Sequence, residues 1–185
     1  MLAFADESSR TGNGGIYLIA LVMVPSHRTV ELRGILRSML PAGQRRFHWR
    51  SDNRRLRGAM LDAIRVAGVH CAVFVKKPMK GTNQRRGRAL CLEAALWHVT
   101  SIGIAELVIE SRGEQDQDDR RTAVAAQRAG NADPELRYSF ARPLEEPLLW
   151  LPDAIAGAAS ACELEPDGVF ADAVARLPIY RGTVR

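Results

Sequence analysis

Apolar residues along the chain form short continuous runs, which predict strands. Several of these runs are rich in β-branched residues, as buried strands are. The first two flank a Gly-rich segment at 12–15, a spacing typical of a β-hairpin. The predicted strands are 2–6, 16–24, 69–76, 105–110 and 136–140.

Longer stretches carry apolar residues three and four positions apart, which predicts helices with one buried face. The predicted helices are 29–40, 53–67, 85–102, 118–128 and a last one that begins near Pro147 or Pro152 and ends at 161. A hairpin followed by alternating helices and strands favours the α/β class, with a mixed β-sheet flanked by helices. We expect one domain over 1–165 and a loosely attached C-terminal tail over 166–185.

Composition limits the cellular setting. Apolar residues make up 46% of the 185 positions, yet no apolar stretch approaches the roughly 20 residues of a membrane-spanning helix. Asp6, Glu7 and Arg10 interrupt the N-terminus where a signal peptide would be apolar, so we expect a cytoplasmic protein. The three cysteines have no CxxC spacing, which argues against a disulfide framework and a structural zinc site.

Charge is distributed unevenly. The net charge of +5 arises from 26 basic and 21 acidic residues, and the basic ones concentrate at 45–57 and 76–88. Arginine suits bidentate contact with phosphate, so these runs favour nucleic acid as a partner, although solvated surface is the alternative for each run alone. The candidate nucleic-acid-binding residues are Arg45, Arg46, Arg50, Lys76, Lys77, Arg85, Arg86 and Arg112.

Four carboxylates stand at strand ends or on helix positions where the pattern favours apolar residues. Asp6 and Glu110 end predicted strands, whereas Glu93 and Asp153 lie in predicted helices. Asp153 has apolar and small neighbours at helical spacing, and a buried unpaired carboxylate is costly unless it gains a cation, a proton or a metal. Asp119, in the acidic segment after Glu110, is a candidate additional ligand.

Each carboxylate also has a purely structural alternative. Asp6 could bond nearby amides in a turn, and Asp153 could cap its own helix. Glu110 could pair with Arg112, and Glu93 could be a solvated helix residue.

Carboxylates gathered at strand ends suit two-metal phosphoryl transfer, in which divalent ions clamp the attacking and leaving oxygens. Mg²⁺ and Mn²⁺ prefer such oxygen ligands. We therefore expect Mg²⁺ or Mn²⁺ bound by Asp6, Glu110 and Asp153, with Glu93 or Asp119 completing a second site. His48 could assist proton transfer, or it could be structural beside Phe47 and Trp49.

Three short motifs resemble a large bacterial family of unknown function with a ribonuclease-H-like fold. Asp6-Glu7-Ser8-Ser9 is similar to its opening Asp-Glu-Ser-Gly, the segment 108–112 to its strand with an acidic residue and Arg, and the segment 152–157 to its late Ala-Asp-x-x-Ala-Gly helix. The resemblance implies a ribonuclease-H-like sheet with Asp6, Glu110 and Asp153 as metal ligands. By position, it also makes Glu93 similar to the helical Glu of ribonucleases H. Ser9, Glu110 and Pro152 depart from the family pattern.

Two functions follow as hypotheses. The first is a metal-dependent nuclease, or a related phosphoryl-transfer enzyme, acting on nucleic acid. The second is a catalytically impaired nucleic-acid-binding or protein-interaction module of a mobile element or defence system, and self-association is compatible with both. The sequence contains neither a Gly-rich nucleotide loop nor a G-x-S-x-G elbow, which disfavours a small-molecule enzyme of those classes.

Overall fold

The structure, a computed structural model, describes residues 1–10, 15–79, 82–166 and 168–184. Within these ranges the strands are β1 (Leu2–Arg10), β2 (Ile16–Val24), β3 (His70–Lys76), β4 (Glu106–Glu110), β5 (Arg137–Ala141) and β6 (Ile179–Val184). The α-helices there are α1 (Thr29–Ser38), α2 (Arg54–Ala67), α3 (Gln84–Ser101), α4 (Asp116–Arg128), α5 (Trp150–Leu164) and α6 (Ala171–Ala175).

The strands form one six-stranded mixed sheet in the order β5-β4-β1-β2-β3-β6. β1, β2 and β3 are antiparallel neighbours. The outer pairings, β1 with β4, β4 with β5 and β3 with β6, are parallel. The prediction of a mixed sheet flanked by helices is confirmed.

Side chains of β1 and β2 contribute alternately to two separate cores, one on each face of the sheet, because successive residues of a strand point to opposite faces. Phe4 contributes to the core beneath α1, α2 and α5. Ala3 and Ala5 contribute to the core beneath α3 and α4. β2 is buried along its whole length, as expected of a central strand covered on both faces.

Local signals at helix ends are used as the sequence indicates. The Asn53 side chain accepts a hydrogen bond from the Leu56 amide at the start of α2. Gly68 ends that helix with a φ of 63°, which glycine adopts without strain. The hairpin between β1 and β2 has the predicted antiparallel pairing, while its turn at 11–14 lies outside the described residues.

The prediction of a loosely attached tail after residue 165 is wrong. Residues 171–175 form α6, and β6 then pairs in parallel with β3 from Cys71↔Ile179 to Lys76↔Val184. Val174 and Leu177 are buried in the core beneath α5. The apolar residues of this segment are few and widely spaced, so the strand partner that orders them is not visible in the local sequence.

None of the described helices combines the length and the apolarity that crossing a lipid bilayer requires. Cys71, Cys91 and Cys162 are free thiols, and the first two are buried.

Candidate functional site

Asp6 and Glu110 lie side by side on adjacent parallel strands. The register pairs Ala5 of β1 with Ile109 of β4, so the next residue of each strand is one of these two acids. Both side chains emerge on the face shared with Phe4, because each lies an even number of positions from a residue of that core. The two carboxyl groups are therefore neighbours, as expected. Glu110 ends β4, but β1 continues to Arg10, so Asp6 lies within its strand and does not end it as predicted.

Asp153 approaches the same place from α5, which packs on β1. Its Oδ2 accepts a hydrogen bond from the Trp49 backbone amide at 2.9 Å and lies 3.4 Å from His48 Nδ1. Within the described chain no amide of α5 donates a hydrogen bond to Asp153, so the capping alternative is not what the structure shows.

The segment that contributes His48 and Trp49 is a loop that hydrogen bonds hold in place. The Asp52 carboxylate accepts hydrogen bonds from the His48 amide at 2.7 Å and from the Gln44 side chain at 2.8 Å. Trp49 is held against α5 at Gly157, where a Cβ atom would lie 2.1 Å from the indole Cγ. Glycine at this position therefore lets the loop reach Asp153.

These elements surround a pocket of about 240 Å³. Its lining includes Asp6, Glu110, Asp153, Arg46, His48 and Arg50. The three acids were expected to meet at a metal, and Arg46 and Arg50 were expected only to bind nucleic acid. All five line this one pocket.

Burial and nearby negative charges raise the pKa values of two acids of this pocket, Asp6 and Glu110. The pKa of Asp6 is raised well above its ordinary value, first by burial and then by the negative charges of Glu110, Glu7 and Asp153. Burial also raises the pKa of Glu110, and a hydrogen bond with Asp6 opposes the rise. Two carboxyl groups in such contact favour a shared proton or a bound cation.

The pKa of His48 is also raised, by its acidic neighbour. Its hydrogen bond with Asp153 raises the pKa of the imidazole, against the lowering by partial burial. The side chain keeps 43% of its surface exposed, so the ring can exchange a proton with a molecule in the pocket.

The carboxylates do not form a ready-made metal cluster. Among the residues that the structure describes, no group of three or more His, Cys, Asp or Glu side chains is placed to hold a metal ion. Asp6 and Glu110 are thus a pair, and Oδ2 of Asp153 is engaged by His48 and by the Trp49 amide.

Glu7, one residue after Asp6, points to the opposite face of β1 and is neutralised there. Its two carboxylate oxygens bind Arg88 Nη1 at 2.5 Å and Arg112 Nε at 2.9 Å. Glu110 therefore does not take Arg112 as its partner. The sequence analysis missed Arg88, although an arginine on the apolar face of α3, three residues before Cys91, was a signal for a buried ion pair.

Asp119 belongs to this second network, which corrects its prediction as a metal ligand. Arg88 donates from Nε and Nη2 to the two Asp119 oxygens at 2.7 and 2.6 Å. Arg88 and Asp119 are only 5% and 2% exposed. A bidentate guanidinium occupies the carboxylate that a metal would need.

The prediction of Glu93 as a site residue is also wrong. Glu93 lies on α3, on the other side of the sheet from Asp153, and its carboxylate accepts a hydrogen bond from the Asn131 side chain at 3.0 Å. It does not line the pocket. The helical spacing that suggested this residue gave no information on which face of the sheet α3 would cover.

The predicted basic residues separate into three groups. Arg46 and Arg50 line the carboxylate pocket, and Arg45 is exposed on the same loop. Others are engaged in ion pairs: Lys77 with Glu163, Arg85 with Asp118 and Arg112 with Glu7. Lys76 ends β3, and Arg86 is exposed near the start of α3.

Comparison with solved structures finds a neighbour for this arrangement of sheet and helices. It is the ribonuclease HII of Archaeoglobus fulgidus, solved as a complex with PCNA, with a TM-score of 0.56 and 17% sequence identity over 90% of this chain and 74% of that one. The fold is ribonuclease-H-like. No protein-family model matches the chain, and no curated protein matches it. At this identity the likeness establishes the ribonuclease-H-like fold and leaves the activity to be argued from the site.

Proposed function

We propose that the protein is a Mg²⁺- or Mn²⁺-dependent nuclease, or a related phosphoryl-transfer enzyme, acting on nucleic acid. The observation that carries the proposal is the Asp6–Glu110 pair, two acids on neighbouring parallel strands that share a pocket with Asp153. Within the described residues neither member of the pair has a basic side chain as salt-bridge partner, whereas Glu7 has two. The fold of the ribonuclease HII neighbour is consistent with this chemistry.

The residues present fit a hard divalent ion. Carboxylate oxygens are its preferred ligands, and Mg²⁺ is commonly held by one or two carboxylates together with water and substrate phosphate. Burial and nearby negative charges raise the pKa values of Asp6 and Glu110, and the charge of Arg46 only partly opposes the rise at Glu110. A bound ion would supply further positive charge and would stabilise negative charge on phosphoryl oxygens.

The other residues of the pocket have separate roles in this proposal. Arg46 and Arg50 bind phosphate oxygens without reading base sequence. Asp153 is the third acid of the pocket and orients the His48 ring through Nδ1. This orientation leaves Nε2 of His48 as the atom that exchanges a proton with the leaving or attacking oxygen.

Cleavage of a fluorescently labelled polynucleotide tests the proposal. We expect cleavage that requires MgCl₂ or MnCl₂ and that is lost in Asp6→Asn and in Asp153→Asn. Glu93→Gln is the matched control, since it removes a carboxylate that lies outside the pocket. Full activity in both aspartate variants would refute the proposal.

A binding module without catalysis is the second candidate, and one observation favours it. Asp153 directs its Oδ2 to Trp49 and His48, and the described residues include no three-ligand metal group. Calorimetric titration with MnCl₂ separates the two candidates. A binding heat that disappears in Asp6→Asn supports the enzyme, and the absence of binding in the millimolar range supports the module.

A further inference from the structure

A shallow depression lies beside the carboxylate pocket and continues from it. It has a volume of about 520 Å³ and is lined by Ser9, Arg10, Trp49, Arg50 and Arg57. All of these except Arg57 also line the carboxylate pocket. A polymer bound at Asp6 can therefore extend along the protein surface into the depression.

Two of its arginines are held in fixed positions. Arg50 Nη2 donates to the Ser9 carbonyl at 3.0 Å, which ties the loop to the end of β1. Arg57 Nη2 donates to the Arg50 carbonyl at 3.2 Å, and its guanidinium lies over the Trp49 ring at 5.2 Å from the centroid. This preorganisation lowers the entropy lost when the two side chains bind a ligand.

The charges of Arg10, Arg50 and Arg57, here called the arginine cluster, are not compensated within the described chain. None of the three forms a salt bridge there, and Arg57 Nε is buried without a hydrogen-bond partner among the described residues. Nine arginines of the described chain pair with carboxylates, namely Arg28, Arg33, Arg65, Arg85, Arg88, Arg112, Arg121, Arg137 and Arg181. The arginine cluster differs from the other arginines without an ion pair there because its members line one depression and Arg57 Nε is buried in it. The uncompensated donors indicate an anionic ligand.

We infer that the arginine cluster is a subsite for a phosphodiester of the nucleic-acid strand that enters the carboxylate pocket, flanking the reacting phosphate. The inference rests on the proposed function, because it takes the strand at Asp6 as its starting point. Guanidinium groups bind phosphate through paired N–H donors. Trp49 is only 5% exposed and is covered by Arg57, so it offers no face on which a base could stack. Recognition in the subsite is therefore of the backbone and independent of sequence.

Salt-dependent binding of the full-length chain tests the subsite. The probe is a fluorescein-labelled RNA–DNA hybrid of about 20 base pairs, followed by anisotropy in EDTA at increasing KCl. Arg50→Gln and Arg57→Gln should each weaken binding about three- to tenfold and lower the slope of log K against log salt by about one unit. Arg65→Gln, on the same helix as Arg57 but paired with Asp62, is the matched control and should leave both quantities unchanged.

Three results would overturn the inference. The first is an unchanged affinity and slope in Arg50→Gln and Arg57→Gln. The second is a loss of slope in Arg57→Lys as large as in Arg57→Gln, which would indicate a structural role for Arg57, since lysine keeps the charge. The third is binding of poly-glutamate with equal affinity and equal dependence on Arg57, which would indicate a surface for acidic protein segments.

The same assay tests the subsite independently of the proposed nuclease activity. Because it is run in EDTA, Asp6→Asn should show the same dependence on Arg57 as the parent protein. A loss of slope in the arginine variants of a protein that cleaves nothing would support the subsite and contradict the nuclease. Cleavage that is independent of Arg50 and Arg57, with unchanged slopes, would do the reverse.

Discussion

Asp6 and Glu7 are adjacent in the chain, but they lie on opposite faces of β1 and in opposite electrostatic environments. Glu7 is bound by Arg88 and Arg112 and forms part of a buried ion-pair network. Asp6 meets Glu110, and burial and repulsion raise the pKa values of both acids. The comparison teaches that a buried acid with a complete set of cationic partners stabilises the fold, whereas one surrounded by other acids still lacks a cationic partner, which is the role we propose for a metal ion at Asp6.

The largest effect should come from removing the cation of the Glu7 network. Arg88→Met leaves Asp119 buried without its partner and leaves Glu7 with Arg112 alone, so we expect a loss of about 3 to 5 kcal/mol in the free energy of unfolding. Urea denaturation measures this loss. A loss below about 1 kcal/mol would show that the network does not stabilise the fold.

A smaller loss in the free energy of unfolding is expected on the face of β1 that carries Asp6. There the loop with Trp49 is positioned by packing on Gly157 and not by ion pairs. Gly157→Ala places a Cβ 2.1 Å from the Trp49 indole, so the loop must move, at a cost of about 1 to 3 kcal/mol. Tryptophan fluorescence should shift as well. Gly58→Ala is the control, since it has open space around it and should stabilise α2 by roughly 0.5 to 1 kcal/mol. Equal behaviour of the two variants would contradict the packing argument.

Asp6→Asn should stabilise the protein at neutral pH and raise Tm by a few degrees. Because the pKa of Asp6 is higher in the folded chain than its ordinary value of 3.8, stability is lost as pH rises from that value through the folded pKa. The advantage of the variant should therefore be absent below pH 3.8 and grow above it. Thermal melts across pH measure this, and a variant less stable than the parent at pH 7 would contradict it.

The same thermal melts can be repeated with MgCl₂ to test for a bound metal ion. MgCl₂ should raise Tm of the parent protein, because an ion that binds only the folded state stabilises it. Asp6→Asn should show no such rise. An equal rise in both would place the bound ion elsewhere.

The smallest effect should come from Arg85, one helical turn before Arg88. Its contact with Asp118 is short, at 2.6 Å, but the arginine side chain is 71% exposed. Solvent screening leaves such pairs with little net stabilisation. Arg85→Gln should therefore change the free energy of unfolding by less than about 0.5 kcal/mol, measured beside Arg88→Met. A larger loss would show that burial does not separate the two arginines.

Much of the secondary structure was predictable because its signals are local. The apolar run at 16–24 gave β2 with the bounds that the structure has, and Asn53 and Gly68 marked the ends of α2. β6 was not predictable in this way, since its order depends on pairing with β3. Asp6, Glu110 and Asp153 could be singled out because each interrupts an apolar pattern.

The sequence by itself determined which positions are apolar, where most helices and strands begin and end, and which acids stand out against that pattern. Only the tertiary structure decided the partners of those acids: it gave Asp119 to Arg88, left Glu93 on the far side of the sheet and set Asp6 beside Glu110. The physical reason is range. Propensity and periodicity act over a few residues, whereas the charge environment of a side chain depends on strand register and helix placement, which bring together residues far apart in the chain.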